Sequence, residues 1–272
     1  MDGSILRVQS DGLELVAESI GSGPPIIAAH GLSGNRTITQ RQIFSLAERY
    51  QIIVYDQRGH HDSTPITNPS LYNPDRMAED MRAVMDAYGI EKAIVQGESM
   101  GAATTLLFTL KYPHRVSALL LTGPAFSDVP NPEIPSLHMM AMEIQQYGLE
   151  EYLRLSAQRM RDNWGASEEV IEAVREMQSS HQEQSLITAL DTVKDWVIFD
   201  DLAEIAQLTM PICIIAWPAD PLHPIELAHR MTAYLPQAKL ETVPSVASVF
   251  LNGGALLGEI YARFLGELAS YR

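Results

Sequence analysis

The sequence predicts an α/β protein: a mostly parallel, eight-stranded sheet with helices on both faces. Three observations carry this. Short apolar runs alternate with amphipathic segments through the first half of the chain. A Gly-x-Ser-x-Gly stretch stands where one such run passes into a helical segment. Strand-like runs return after a long helical stretch in the second half.

Leu13 to Ser19 reads as an early strand, and Pro25 to His30 as a buried one ending in His-Gly. Thr39 to Tyr50 has helical spacing, and Gln51 to Asp56 is the next strand. In the segment Asp75 to Tyr88, Met77, Met81, Val84, Met85 and Tyr88 recur on one helical face, with Pro74 at its start and Gly89 at its stop. Ala93 to Glu98 is a strand, Met100 to Lys111 a helix closed by Tyr112-Pro113, and Val116 to Thr122 a strand. Right-handed crossovers then set the carboxyl ends of the strands on one edge, where ligands bind. The alternation stops after Gly123. A Pro-rich loop follows, and Ser136 to about Asp201 reads as helical. Strand character returns at Pro211 to Trp217 and Lys239 to Val243, with helices at Ile225 to Tyr234 and Ala255 to Ser270. The expected organisation is a core of residues 1–124 and 203–272, interrupted by a helical cap at 125–202.

Bulk properties exclude several functions. With 34 acidic against 19 basic residues the chain carries a formal charge of −15, which disfavours nucleic acid and anionic membranes. No apolar stretch is long enough to span a bilayer, and the Met-Asp-Gly-Ser start lacks a signal pattern, so a cytoplasmic location is expected. The single cysteine, Cys213, lies in an apolar run and reads as a small buried hydrophobe. No P-loop or dinucleotide fingerprint is present, and His60-His61-Asp62 has no partner cluster, so neither cofactor nor metal is expected.

Chemistry concentrates at Gly97-Glu98-Ser99-Met100-Gly101. A chain that turns sharply from strand into helix holds its central residue in a strained backbone state. Side chains at Gly97 and Gly101 would collide with neighbouring backbone. The Ser99 hydroxyl is thereby raised above the sheet edge, at the positive end of the following helix.

With this motif in its strand–turn–helix setting, the chain resembles the α/β-hydrolase superfamily, in its capped esterase-like branch. The resemblance covers nearly the whole chain and implies a hydrolase of small carboxylic esters or lactones, with Ser99 as nucleophile. His30-Gly31-Leu32-Ser33-Gly34 resembles the family's oxyanion loop, which implies oxyanion donors at the backbone N–H groups of Leu32 and Met100. His30 itself is expected to fix that backbone. Asp56-Gln57-Arg58-Gly59-His60-His61-Asp62-Ser63 resembles a structural turn of the family, with His61 in place of its second glycine. The family carries its acid after the seventh strand, which implies Asp220, with Asp128 as the other candidate.

The pattern departs from the family at the base. The family supplies a histidine after the last strand. Here that stretch is Pro244-Ser245-Val246-Ala247-Ser248-Val249-Phe250, with Ser248 at the expected place, and no histidine follows His229. Three explanations stay open. His223, three residues beyond Asp220, takes the role, although so short a spacing can keep it from reaching Ser99. Alternatively His61, His138 or His181 reaches in. Otherwise the site lacks a base, and the protein binds a small ligand, reacts only slowly with activated esters, or is a variant from which the base was removed.

Overall fold

The computed structural model describes residues 4–270; the outermost residues of the expected core segments, 1–3 and 271–272, lie outside the described residues. One eight-stranded sheet organises the chain. Its strands are β1 (Ser4–Ser10), β2 (Leu13–Gly21), β3 (Pro25–Ala29), β4 (Gln51–Tyr55), β5 (Ala93–Glu98), β6 (Val116–Thr122), β7 (Ile212–Ala216) and β8 (Ala238–Thr242). They lie in the order β1-β2-β4-β3-β5-β6-β7-β8. The β1–β2 and β2–β4 pairs are antiparallel and the rest are parallel.

β1 is the one strand absent from the sequence reading. It forms a hairpin with β2 through Asp11-Gly12, both at positive φ (52° and 76°). An Asp-Gly pair is a strong hairpin signal, and Ser4–Ser10 does alternate exposed and buried residues toward its end. The expected helix from Thr39 to Tyr50 is also revised. α1 runs Arg36–Gln42, starting earlier because the Asn35 side chain caps it by accepting from Ile38 N–H. It ends at Ile43, and a separate 3₁₀ turn covers Phe44–Glu48.

Side-chain alternation divides the core in two. Ile27, Ile53, Val95, Leu119 and Ile214 face one side of the sheet, against α2 (Pro74–Ala87), α3 (Met100–Lys111) and α8 (Ile225–Tyr234). Ile26, Ile52, Ile94, Leu120 and Ile215 face the other, against Ile43, Leu46 and Ala47 that follow α1 and against α9 (Ala255–Ser270). Cys213 is fully buried in this second layer, and burial pushes its thiol up to about 12. Because the central strands are covered on both faces, they read as continuous apolar runs.

Between β6 and β7 the chain leaves the sheet for four helices: α4 (Pro135–Tyr147), α5 (Leu149–Trp164), α6 (Glu168–Ser179) and α7 (Glu183–Thr192). Ala141, Ile144, Leu186 and Leu190 pack into a small core of their own. Two polar links tie this segment to the loop after β3: Asn35 Nδ2 donates to Ser180 Oγ at 3.0 Å, and His181 Nε2 lies 3.1 Å from Gly34 O. No helix among the described residues is long and apolar enough to cross a membrane.

Candidate active site

The turn from β5 into α3 sets the geometry. Ser99 has φ 52° and ψ −110°, a conformation that a side-chain-bearing residue adopts only under constraint. The flanking glycines supply that constraint. A Cβ on Gly97 would lie 2.1 Å from Gly101 O, and one on Gly101 would lie 2.1 Å from Ala29 O. No side chain fits at either position, so helix, strand and the neighbouring β3 strand approach one another closely. Ser99 N–H donates to Thr122 O at 2.9 Å, fixing the turn to β6.

His223 lies between Ser99 and Asp220. Its Nε2 is 3.0 Å from Ser99 Oγ and its Nδ1 is 2.8 Å from Asp220 Oδ2. The short spacing works because the loop doubles back on itself. Asp220 Oδ1 accepts from the N–H groups of Leu222 (3.0 Å) and His223 (3.3 Å), an Asx-type turn that turns Oδ2 toward the ring. Ala219, at φ 59°, and Pro221 bend the chain on either side of the acid. Burial raises the pKa of Asp220, but the hydrogen bond and charge of His223 and the N–H of Trp217 outweigh it and hold the carboxyl at about 2. The Asp220–His223 spacing thus proves no obstacle to reaching the serine.

Three supporting residues were not singled out by sequence. Trp217 Nε1 donates to Asp220 Oδ2 at 2.7 Å. Asn131 Nδ2 donates to Leu222 O (2.8 Å) and Ala125 O (3.0 Å), tying the acid-bearing loop to the chain after β6. A Cβ on Gly123 would lie 2.5 Å from the Trp217 ring and 3.3 Å from His223 Cδ2, so the glycine admits both rings. The only signals for these were the indole two residues before Ala219 and the Gly123-Pro124 that ends β6.

The other candidate bases are engaged elsewhere. His138 Nδ1 lies 2.6 Å from Asp191 on the surface of the helical segment. His181 is buried against Gly34 and Gln178. His61 sits at φ 44°, consistent with glycine being usual there, and its Nδ1 is 3.0 Å from Asp56 Oδ2, which raises its pKa. His30 accepts from Gln57 N–H at Nε2 (2.9 Å) and faces Gly31 O with Nδ1 (2.7 Å). Burial holds it at about 4 and therefore neutral near pH 7. Asp128, the alternative acid, pairs with Arg230 at 2.8 Å. Asp56, His61 and Asp62 do converge, but the Arg36 guanidinium pairs with both carboxylates and supplies the compensating positive charge.

Leu32 lines a cavity of about 200 Å³ that also opens onto Ser99 and His223. Met100 has its side chain buried in the core, and its N–H begins the first turn of α3. Neither N–H donates to an acceptor among the described residues. Leu137 and Met140 of α4, Met177 of α6 and Leu190 of α7 cover the cavity from above. Ser248 does not line it. It sits in a 3₁₀ turn, Val246–Val249, with its Oγ 3.5 Å from Ser245 Oγ, while Val246 and Phe250 form part of the wall. A larger open groove of about 1250 Å³ lies on the helical segment, but its lining includes none of Ser99, Asp220 and His223.

Known proteins share this architecture. A protein of Azorhizobium caulinodans provisionally assigned as carbamate hydrolase RutD is 28% identical over 263 residues, 94% of this chain and 96% of its own. The 3-oxoadipate enol-lactonase 2 of Acinetobacter baylyi is 23% identical over 223 residues, 81% of this chain and 80% of its own. A crystal structure of a hydrolase from Pseudomonas aeruginosa superposes with a TM-score of 0.81 at 23% identity, covering 97% of this chain and 98% of that one. Residues 24–247 match the family described by the alpha/beta hydrolase fold, and the chain belongs to that family.

Proposed function

We propose that this protein is a serine hydrolase of small carboxylic esters or lactones, working through an acyl-enzyme on Ser99. The observation that carries the reading is the imidazole of His223 held between Ser99 Oγ at 3.0 Å and Asp220 Oδ2 at 2.8 Å. With Nδ1–H donated to Asp220, the Nε2 lone pair faces the serine hydroxyl. As Ser99 Oγ bonds to the substrate carbonyl carbon, its proton passes to Nε2. Asp220 then faces an imidazolium, whose charge it stabilises. The carbonyl oxygen becomes an oxyanion, received by the N–H groups of Leu32 and Met100, where the helix dipole adds to the two hydrogen bonds. Collapse breaks the ester C–O bond and the leaving oxygen takes the proton from Nε2. A water molecule, deprotonated by the same nitrogen, repeats the sequence and frees Ser99.

Residues 125–202 act as the cap. Their side chains close over a cavity of about 200 Å³, which suits a small acyl group. Relatives named for carbamate and enol-lactone hydrolysis point to the same kind of carbonyl chemistry.

Turnover of p-nitrophenyl acetate tests the reading. The parent is expected to hydrolyse it and to be labelled at Ser99 by a fluorophosphonate, whereas Ser99→Ala loses on the order of 10³-fold or more in kcat and takes no label. An inert parent that the fluorophosphonate leaves unlabelled would instead mark a ligand-binding member of the fold.

A further inference from the structure

Glu98 is the acidic side chain inside the cavity, and the proposed reaction makes no use of it. It ends β5 immediately before Ser99, is half-buried, and lines the same cavity as Ser99 and His223. A Cβ placed on Gly31 would be 3.5 Å from Ser99 Cβ and 3.9 Å from Glu98 Cγ, so the two side chains flank one point at the cavity floor. No lysine or arginine lines that cavity among the described residues, and the groups that stabilise the Glu98 carboxylate are the His223 ring and the Gln42 amide. The rest of the wall is largely apolar, with Leu32, Phe126, Ile134 and Phe250 among it. Burial accordingly raises the pKa of Glu98. A carboxylate in such surroundings, with no lysine or arginine beside it in the cavity lining, is costly for the empty site and is relieved by a ligand that brings a hydrogen-bond donor or positive charge.

We propose that Glu98 is a specificity-determining residue that receives a protonated amine on the acyl side of the substrate and disfavours acyl groups ending in a carboxylate. This rests on the serine-hydrolase reading for its placement of the acyl group. The amine, two or three bonds from the carbonyl carbon, lies beside Glu98 while that carbon faces Ser99 Oγ. An anionic acyl tail meets Glu98 with no lysine or arginine in the cavity lining to offset the repulsion.

Three ethyl esters of similar size and different charge test this: ethyl 3-aminopropanoate, ethyl butanoate and monoethyl succinate, followed by acid release at pH 7. In the parent, kcat/KM is expected to be about tenfold or more higher for the amino ester than for the butanoate, and lowest for the succinate. In Glu98→Gln the amino-to-butanoate ratio is expected to fall about tenfold, mainly through KM, and the succinate to gain on the butanoate. A parent without the amino preference, or a preference that survives in Glu98→Gln, overturns the assignment. Calorimetry provides a readout that needs no turnover: the parent should bind 3-aminopropanamide about tenfold more tightly than butanamide, and equal affinities overturn the proposal. If Ser99→Ala cleaves the esters as fast as the parent, the serine reading falls, while the calorimetric comparison still decides whether Glu98 receives the amine.

Discussion

The loops after β7 and β8 both reach the cavity, and they are built on opposite principles. The first, residues 217–224, is knotted by polar contacts: Trp217, Leu222 and His223 all donate to the Asp220 carboxylate, and Asn131 holds the loop from outside. The second, residues 244–250, is short of such contacts. Ser245 and Ser248 face each other at 3.5 Å, and Val246 and Phe250 supply apolar wall. In the family to which the sequence is similar, the acid and the base are divided between these two positions. Here one loop carries both Asp220 and His223, the proposed acid and base. The requirement on a base is geometric, a ring within reach of the serine and oriented by a carboxylate, and the strand that delivers it is immaterial. A three-residue spacing satisfies that requirement once the carboxylate turns the intervening backbone around itself.

Replacing the base is the most direct way to break this contrast. His223→Ala is expected to lower kcat on p-nitrophenyl acetate roughly 10³-fold or more. Adding Ser248→His to that variant should not restore it, because Ser248 stands outside the cavity wall. Recovery to within tenfold of the parent would mean that the two loops are interchangeable. The acid gives a comparable loss in kcat together with a pH-dependent effect on stability. Asp220 is held at about 2, below the ordinary 3.8 of an aspartate, so its stabilising contribution is fully present above pH 3.8 and is lost as pH falls toward 2. That shift corresponds to about 2 kcal/mol. Asp220→Asn should therefore be less stable than the parent by about this amount at pH 6, with the gap narrowing below pH 4, as followed by urea unfolding. Its kcat should fall roughly 10²–10⁴-fold, since an amide leaves the imidazole less well oriented.

Much of this site was legible in the sequence because backbone sterics write themselves into residue choice. Gly97 and Gly101 are required wherever Ser99 adopts φ 52°, and both sit in the motif. The apolar runs of β3 to β7 follow from burial on both faces. The third of three possibilities for the base, an empty position, was not excluded by spacing alone. The choice among them depends on side-chain oxygen atoms that double the loop back, and hydrogen bonds of that kind leave no periodic trace. Asn131 was unreadable because it acts across distant chain segments, 91 residues from Leu222, and Trp217 because its bond to Asp220, although only three residues away, depends on how the loop folds back. β1 was missed because its outer face is exposed and only Val8 and Ser10 are buried, so its apolar signal is weak. α1 stops at Gln42, and the next residue, Ile43, packs into the core beside the sheet, a tertiary contact that local propensity does not encode.

The finest comparison sets one residue of each loop against the other. Trp217→Phe keeps the ring that packs beside His223 but removes the N–H that Asp220 accepts at 2.7 Å. One hydrogen bond to a charged acceptor is worth about 1.5–3 kcal/mol. The two backbone N–H groups on Oδ1 remain and limit the loss. Asp220 then becomes freer to rotate away from Nδ1, and kcat is expected to fall about three- to tenfold with KM little changed. Ser248→Ala removes only a long contact to Ser245, and kcat/KM should stay within about twofold of the parent. If instead Ser248→Ala were the more damaging of the two, the loop after β8 would be taking part in the chemistry through a contact that forms only with substrate bound. The division of labour between the loops would then have to be redrawn.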